Sequence, residues 1–200
     1  MIFNYNFKIN TKKVLELTGL KSANILDFGC GTGIWSDEDI NNNEKIHEIT
    51  LYDKNEKLRN YLIEKYKKNS KIKLDFEYNS VVKNKKYNLV IFSSVIQYLP
   101  FEEIKSQINK LKHEKKELVI IIIDVPYLPR FIELIFTPFL SLKRFIFICK
   151  LIFSKNYKKI NYFIHKKQSF LFFEKDFEIN FIPNLHDLKI LRYSVILKLK

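Results

Sequence analysis

The stretch that decides the fold is Asn24 to Gly33, NILDFGCGTG. A short apolar run, Ile25 and Leu26, ends at the acid Asp27, and glycines follow at the alternate positions 29, 31 and 33. An apolar run that breaks into alternate glycines is typical of a buried strand that stops at a ligand. Glycines tolerate positive φ and let the backbone pass close to a bound molecule, which the N–H groups of the next helix then face. The stretch therefore predicts a binding turn.

The spacing of these glycines distinguishes the turn from a dinucleotide-binding turn. Dinucleotide turns follow Gly-x-Gly-x-x-Gly, whereas this chain has Asp-x-Gly-x-Gly-x-Gly. The pattern resembles motif I of the Rossmann-like (class I) S-adenosylmethionine-dependent methyltransferases. The resemblance implies that the loop lies under the amino-acid part of S-adenosyl-L-methionine and that the acid holds its amino end. The cofactor contacts it implies here are Asp27, Gly29, Cys30, Gly31 and Gly33. A glycine-rich turn without a ligand is the alternative, but three of the chain's four glycines fall in this loop.

Length and composition favour one domain in a reducing compartment. A chain of 200 residues with 46% apolar side chains suits a single core. Cys30 and Cys149 offer no disulfide framework, and the N-terminus lacks the regions of a signal peptide, so a cytoplasmic location is expected.

The positive charge is concentrated in the second half of the chain. Residues 1–125 hold 21 basic and 17 acidic side chains, net +4, and residues 126–200 hold 14 and 5, net +9. A basic half suits contact with nucleic acid or a membrane. A genome biased towards Lys, Asn and Ile gives the same excess, so both interpretations stay open.

Strand and helix signals alternate at the spacing of βαβ units. Helices are expected at 11–20, 34–43, 56–68 and 101–113, and strands at 46–52, 72–78, 89–92 and 117–125. Near the C-terminus, 170–181 is expected to include a helix, and 188–192 and 193–199 are expected to be strands. With the family resemblance, the expected fold is α/β: a doubly wound Rossmann-like sheet, mostly parallel, with an antiparallel C-terminal hairpin and a helical hydrophobic insertion after the fifth strand.

The chain is expected to form one methyltransferase domain in four parts. These are an N-terminal helix (1–23), a cofactor-binding core (24–126), a helical lid (127–165) and a last helix with the C-terminal strands (166–200). Within the lid, 127–162 is rich in Phe, Ile and Leu, but its longest uncharged run, 134–142, is far shorter than the roughly 20 residues of a spanning helix. Its phenylalanines and lysines suit either packing on the sheet, or docking at the inner membrane surface or on a lipid-linked acceptor.

Later positions supply the other expected cofactor contacts. Asp53 lies 20 residues after Gly33 at the end of the next strand, where a ribose hydroxyl pair is held. In the family, residues just past the third strand contact the adenine ring. Glu77, Tyr78 and Asn79 are the candidates, with Asn79 offering an amide and Tyr78 alternatively an ordinary strand aromatic. The family's usual acid is expected to be absent from this loop.

Two serines and an acid stand where the fourth and fifth strands end. Ser93 and Ser94 are expected either to contact the cofactor or to cap the next helix. Asp124 is the expected general base for an acceptor hydroxyl, or else a carboxylate satisfied by backbone N–H groups. His165 and His186 are the alternative bases. No metal site is expected.

The resemblance implies a methyltransferase acting on a small-molecule or glycan-type acceptor, with O-methylation expected. The alternatives are an RNA or protein methyltransferase that uses the basic C-terminal half, and a non-catalytic cofactor-binding relative. Nucleic acid is the less favoured partner, because the residues after the fourth strand, Ser93-Ser94-Val95-Ile96, are not the Asn/Asp-Pro-Pro-aromatic signature of amino-directed base methyltransferases.

Overall fold

The computed structural model describes residues 11–33, 40, 43–113, 115, 117–126, 163–183 and 192–200. Its strands are β1 (Ala23–Phe28), β2 (Ile46–Tyr52), β3 (Ile72–Leu74), β4 (Leu89–Ser93), β5 (Val119–Pro126), β6 (Phe177–Pro183) and β7 (Arg192–Leu199). Its α-helices are α1 (Thr11–Thr18), α2 (Arg59–Tyr66), α3 (Tyr78–Lys83), α4 (Phe101–Lys112) and α5 (Lys167–Phe170). Single 3₁₀ turns occupy Glu56–Leu58, Ile96–Tyr98 and Leu171–Phe173.

The described strands form one seven-stranded sheet in the order β3-β2-β1-β4-β5-β7-β6. Strands β1 to β5 pair in parallel, while β7 runs antiparallel to both β5 and β6. The strand order reverses between β1 and β4, which in open α/β sheets is where ligands bind. The predicted α/β class, with a mostly parallel sheet and an antiparallel C-terminal hairpin, is confirmed.

The apolar patterns of the sequence account for the layers of this fold. All eight residues of β5 are buried, as expected of a strand covered on both faces, and four of them are isoleucines. Helix α4 buries Ile104, Ile108 and Leu111 at helical spacing against the sheet. Helix α1 ends at Thr18, and the next residue, Gly19, has φ of 72° and donates its N–H to the Leu15 carbonyl at 3.1 Å.

The third strand is shorter than the sequence predicts. It ends at Leu74, because Asp75 turns the chain by accepting hydrogen bonds from the Glu77 N–H at 2.9 Å and from Ser80 Oγ at 2.6 Å. Tyr78 therefore begins helix α3, and the interpretation of Tyr78 as a strand aromatic was wrong. The expectation that this loop lacks an acid was also wrong, since Asp75 and Glu77 both follow the strand.

The C-terminal hairpin contains one predicted strand, β7, which matches the strand expected at 193–199, and one strand that was not predicted, β6. Strand β7 pairs with β6 at 177–183, a stretch that overlaps the region expected to hold a helix. The helical part is confined to α5 and the 3₁₀ turn that ends at Phe173. Side chains of β6 alternate in exposure at its start, as on an edge strand with one covered face, but the neighbouring phenylalanines obscure that period in the sequence.

Several predictions lie outside the described residues. These are most of the 34–43 helix, the 127–162 part of the lid, the 188–191 part of the expected strand, and His186. Within the described ranges, no helix has both the length and the apolar character needed to cross a membrane.

Candidate cofactor site

A cavity of about 730 Å³ opens at the carboxyl ends of β1, β2 and β4. Its wall is built from the glycine loop after β1, the turn after β2, the first residue of α3, the residues after β4 and the first turns of α4. Cavities of 300–1,000 Å³ are the usual size for cofactors and small ligands. The cavity therefore occupies the place that the strand order predicts for a ligand.

Two of the loop glycines are required by close packing. Gly29 and Gly33 have φ of 76° and 74°, a left-handed conformation that side chains rarely adopt. A Cβ on Gly29 would lie 2.6 Å from Cγ2 of Val95, and a Cβ on Gly33 would collide with the Tyr66 ring of α2. These glycines bring the loop against the segment after β4 and against α2. Gly33 does not itself line the cavity.

Gly31 and Asp53 join the loop to the end of β2. The Gly31 N–H donates to Asp53 Oδ2 at 2.8 Å, and the Asn55 N–H donates to Oδ1 of the same carboxylate at 2.8 Å. Gly31 has φ of 57°, and a Cβ there would meet nothing within 4 Å. Gly31 and Asp53 both line the cavity, so the carboxylate stands at its edge beside an open stretch of backbone.

Asp27 and Cys30 lie in and under the loop. Asp27 is completely buried at the end of β1 and is not part of the cavity wall, whereas Cys30 lines it. Burial raises the pKa of the Cys30 thiol well above its usual value, and the carboxylates of Asp27 and Asp53 raise it further. Because a thiol with a raised pKa stays protonated near neutral pH, Cys30 is suited to packing and not to nucleophilic attack.

Three aromatic rings form one side of the cavity. Phe28 and Tyr52 lie with ring centroids 4.8 Å apart, and Tyr78 lies 6.4 Å from Phe28 and 6.2 Å from Tyr52. Sequence reasoning missed Phe28 and Tyr52, although each is the last residue of its strand, directly before a predicted site residue or glycine. These tilted and edge-on rings give an apolar surface against which a purine ring can pack.

Asn79 does not lie on this wall. It is the second residue of α3, is exposed, and lines a different cavity between α3 and α4. The one-residue helical step from Tyr78 turns its side chain away from the aromatic rings. Among the adenine candidates, Tyr78 is the one that lines the cofactor cavity.

Ser93 and Ser94 both line the cavity at the end of β4. Ser94 has φ of 56°, and its hydroxyl donates to Asp124 Oδ2 at 2.8 Å. The 3₁₀ turn that follows has Val95 as its N-cap with no side-chain capping bond, so the alternative that a serine caps it was wrong.

Asp124 lies behind Ser94 and not on the cavity wall. It is 1% exposed, has φ of 69°, and its Oδ2 also accepts a hydrogen bond from Arg192 Nη1 at 2.9 Å. Arg192 in turn donates to Gln97 Oε1 at 2.8 Å, and Gln97 Nε2 donates to the Ser94 carbonyl at 3.0 Å. This geometry suits a carboxylate that ties β5 and β7 to the segment after β4, and sequence reasoning missed the pairing with Arg192.

His165 is likewise set behind the cavity wall. It is 3% exposed, its Nε2 lies 2.9 Å from the Ile96 carbonyl oxygen, and its own carbonyl accepts from the Tyr193 hydroxyl at 2.7 Å. Burial lowers the pKa of the imidazole, while hydrogen bonds to the Ile96 and Leu99 backbone oppose that shift. The histidine thus supports the Ile96–Tyr98 turn from behind.

Comparison with known proteins identifies the family. A family model described as a methyltransferase domain matches residues 4–117, more than half of the chain. The chain therefore belongs to the methyltransferase domain family and is an S-adenosyl-L-methionine-dependent methyltransferase with the Rossmann-like fold. The family, the enzyme class and the cofactor predicted from the glycine loop are confirmed. No curated protein matches the sequence.

Solved structures agree with this fold. Magnesium protoporphyrin IX methyltransferase from Synechocystis PCC 6803, with bound SAH, is 18% identical over 94% of this chain and 77% of its own, with a TM-score of 0.56. A SAM-dependent methyltransferase from Aquifex aeolicus is 14% identical over 96% and 89%, with a TM-score of 0.58. An O-methyltransferase family 2 protein from Planctomyces limnophilus in complex with apigenin is 15% identical over 88% and 50%, with a TM-score of 0.55.

Proposed function

We propose that this methyltransferase acts on a small-molecule or glycan-type acceptor and methylates a hydroxyl oxygen. The observation that carries the cofactor part of the proposal is the hydrogen bond between the Gly31 N–H and the Asp53 carboxylate at the rim of the cavity. Fold-level analogy adds support. One structural neighbour is named as a methyltransferase of magnesium protoporphyrin IX, and another is in complex with apigenin. RNA and protein acceptors are the alternatives to be tested beside it.

The residues of the cavity fit S-adenosyl-L-methionine. The Asp53 carboxylate at the cavity edge would accept hydrogen bonds from ribose hydroxyls, and the rings of Phe28, Tyr52 and Tyr78 would offer an apolar surface for adenine. Backbone at Gly31, where an added Cβ would meet nothing within 4 Å, leaves room for the amino-acid part. The cofactor supplies a methyl group already activated by the sulfonium.

The chain's own contribution to the chemistry is mainly positioning. In-line alignment of a hydroxyl with an activated methyl group accounts for much of the acceleration, and a base adds about 10²–10⁴-fold. Asp124 is committed to Ser94 and Arg192, and His165 to the Ile96 backbone. The proposed mechanism therefore depends on how the walls after β2 and β4 hold the two reactants.

Asp53→Ala tests the cofactor part of this proposal. The variant is expected to weaken S-adenosyl-L-methionine binding by about 2–4 kcal/mol, the worth of a charge-assisted pair of hydrogen bonds. Isothermal titration calorimetry measures the affinity. Asp176→Ala is the matched control, because that carboxylate pairs with Lys112 at 2.7 Å and lies outside the cavity wall. Equal affinities in the wild type and Asp53→Ala would contradict the assignment.

The acceptor is tested by following S-adenosylhomocysteine formation with pooled candidates. Four separate pools are incubated with the full chain. The first holds hydroxylated small molecules and nucleotide sugars, the second lipid-linked glycans, the third protein and the fourth RNA. Turnover confined to the first two pools supports the proposed acceptor class, and turnover confined to RNA or protein overturns it. A cytoplasmic location, with peripheral contact at the inner membrane surface for a lipid-linked acceptor, belongs to the same proposal and rests on sequence alone.

A further inference from the structure

A second cavity, of about 750 Å³, lies between α3 and α4. Among the described residues that line it, the lysines and the histidine are Lys83, Lys85, Lys110, His113 and Lys115. No Asp or Glu is among the described residues that line it, although the whole chain has 22 acidic residues against 35 Lys and Arg. Overall composition would place acids among five such positions, so this groove, here called the lysine groove, has a local excess of positive charge.

The ammonium group of Lys115 is held at a defined position in the lysine groove. Its Nζ donates to the carbonyl oxygens of Asn84 at 3.1 Å and Tyr87 at 2.7 Å, and the side chain is partly buried. Loss of hydration lowers the pKa of the Lys115 ammonium to about 8. A lysine ammonium has three N–H donors, and the two carbonyls are the acceptors that the described part of the chain supplies to Lys115. An anion in the groove would favour the charged form that burial disfavours.

The other lysines surround this position. Lys83 at the end of α3, Lys85 in the following loop and Lys110 near the end of α4 are exposed at the groove. Lys110 Nζ lies 3.2 Å from the Tyr78 hydroxyl and 5.1 Å from the centre of its ring. Tyr78 lines both cavities, so the lysine groove adjoins the cofactor cavity through one side chain.

We propose that the lysine groove is a binding site for a phosphate-bearing ligand, with Lys83, Lys85, Lys110 and Lys115 placed around the phosphate groups. Lysine ammonium groups bind phosphate as point charges. The amides of Asn79, Asn84 and Asn109 on the same wall supply neutral donors. Two sources share this chemistry, a free nucleotide and the phosphodiester backbone of a single-stranded nucleic acid. The inference goes beyond methyl transfer and does not depend on which acceptor is methylated.

The test measures binding of both sources by the full chain. Isothermal titration calorimetry uses adenosine 5′-diphosphate, and fluorescence anisotropy uses a labelled single-stranded oligouridylate, each at low and at high salt. Lys83→Glu/Lys85→Glu reverses two exposed charges of the groove. Lys12→Glu/Lys73→Glu makes the same change of net charge at exposed positions of α1 and β3 away from it.

The wild type is expected to bind at least one probe, and more weakly at high salt because phosphate contacts release counterions. The groove variant should lose about tenfold or more in affinity, and the control variant much less. Binding of both probes indicates a site for phosphate groups whether or not they belong to a strand, and binding of the oligonucleotide alone indicates a site for a strand. Absence of binding to both probes, or equal losses in the two variants, overturns the proposal. S-adenosyl-L-methionine titrations of the same proteins report the cofactor site separately.

Discussion

Gly31 is the position at which cofactor binding and folding can be separated. A Cβ added there would meet nothing within 4 Å, and the residue has φ of 57° beside the carboxylate of Asp53. Gly31→Ala is therefore expected to cost about 1–2 kcal/mol of stability from the left-handed conformation alone. Because the added methyl group would occupy space at the cavity wall, we also expect a loss of S-adenosyl-L-methionine affinity of about tenfold or more, measured by calorimetry.

Gly19→Ala is the matched control for Gly31→Ala. Gly19 has φ of 72°, and a Cβ there would also meet nothing within 4 Å, but it lies at the end of α1 outside the cavity wall. The two variants should lose similar stability in urea unfolding, and only Gly31→Ala should lose affinity. Unchanged affinity in Gly31→Ala would show that the cofactor does not lie against the backbone of Gly31.

At the scale of elements, Arg192 links the last strand to the cavity wall. Its guanidinium contacts Asp124 of β5 and Gln97 of the turn after β4, and both Arg192 and Asp124 are nearly inaccessible. Arg192→Met would leave a buried carboxylate without this partner, a change that typically costs about 3–5 kcal/mol. We therefore expect a large loss in the free energy of unfolding, measured with urea.

The double variant Arg192→Met/Asp124→Asn shows whether the pair acts as a unit. Asparagine keeps a neutral side chain of the same shape and tolerates the positive φ at 124. The double variant should lose less stability than the sum of the losses of the two single variants, as coupled neighbours require. If Asp124→Asn instead keeps full stability and lowers turnover, Asp124 acts as the general base and not as a structural partner.

For the whole molecule, His165 makes stability depend on pH. Burial lowers the pKa of this imidazole below its unfolded value of about 6.5, so the unfolded chain binds more protons as the pH falls through that range. The free energy of unfolding should therefore decrease between pH 7 and pH 5. His165→Gln should reduce that decrease, which urea unfolding at several pH values measures.

His47→Gln provides the comparison, because His47 is an exposed residue of β2. Because its side chain is exposed, this variant should keep the pH dependence of the wild type. Identical pH profiles for His165→Gln and the wild type would show that protonation of another group controls the effect.

Local patterns in the sequence are sufficient to predict much of this methyltransferase. The glycine loop, the bounds of β2 at 46–52, and Asp53 at its end all depend on neighbours a few residues apart. A continuous apolar run similarly predicts β5, which is buried along its whole length, and apolar residues at helical spacing predict α4. The fold class follows from the order of these elements.

Tertiary structure alone decided the features that join distant segments. The aromatic wall takes Phe28, Tyr52 and Tyr78 from three elements that only the sheet brings together. Asp124 meets Arg192 across 68 positions of sequence, and β6 reaches β7 by pairing at the sheet edge. Spacing and composition carry no record of such contacts, because a side chain's partner across strands is set by strand order and register. The sequence by itself therefore determined the family and the glycine loop, and the packing of the sheet determined which side chains line the cavity.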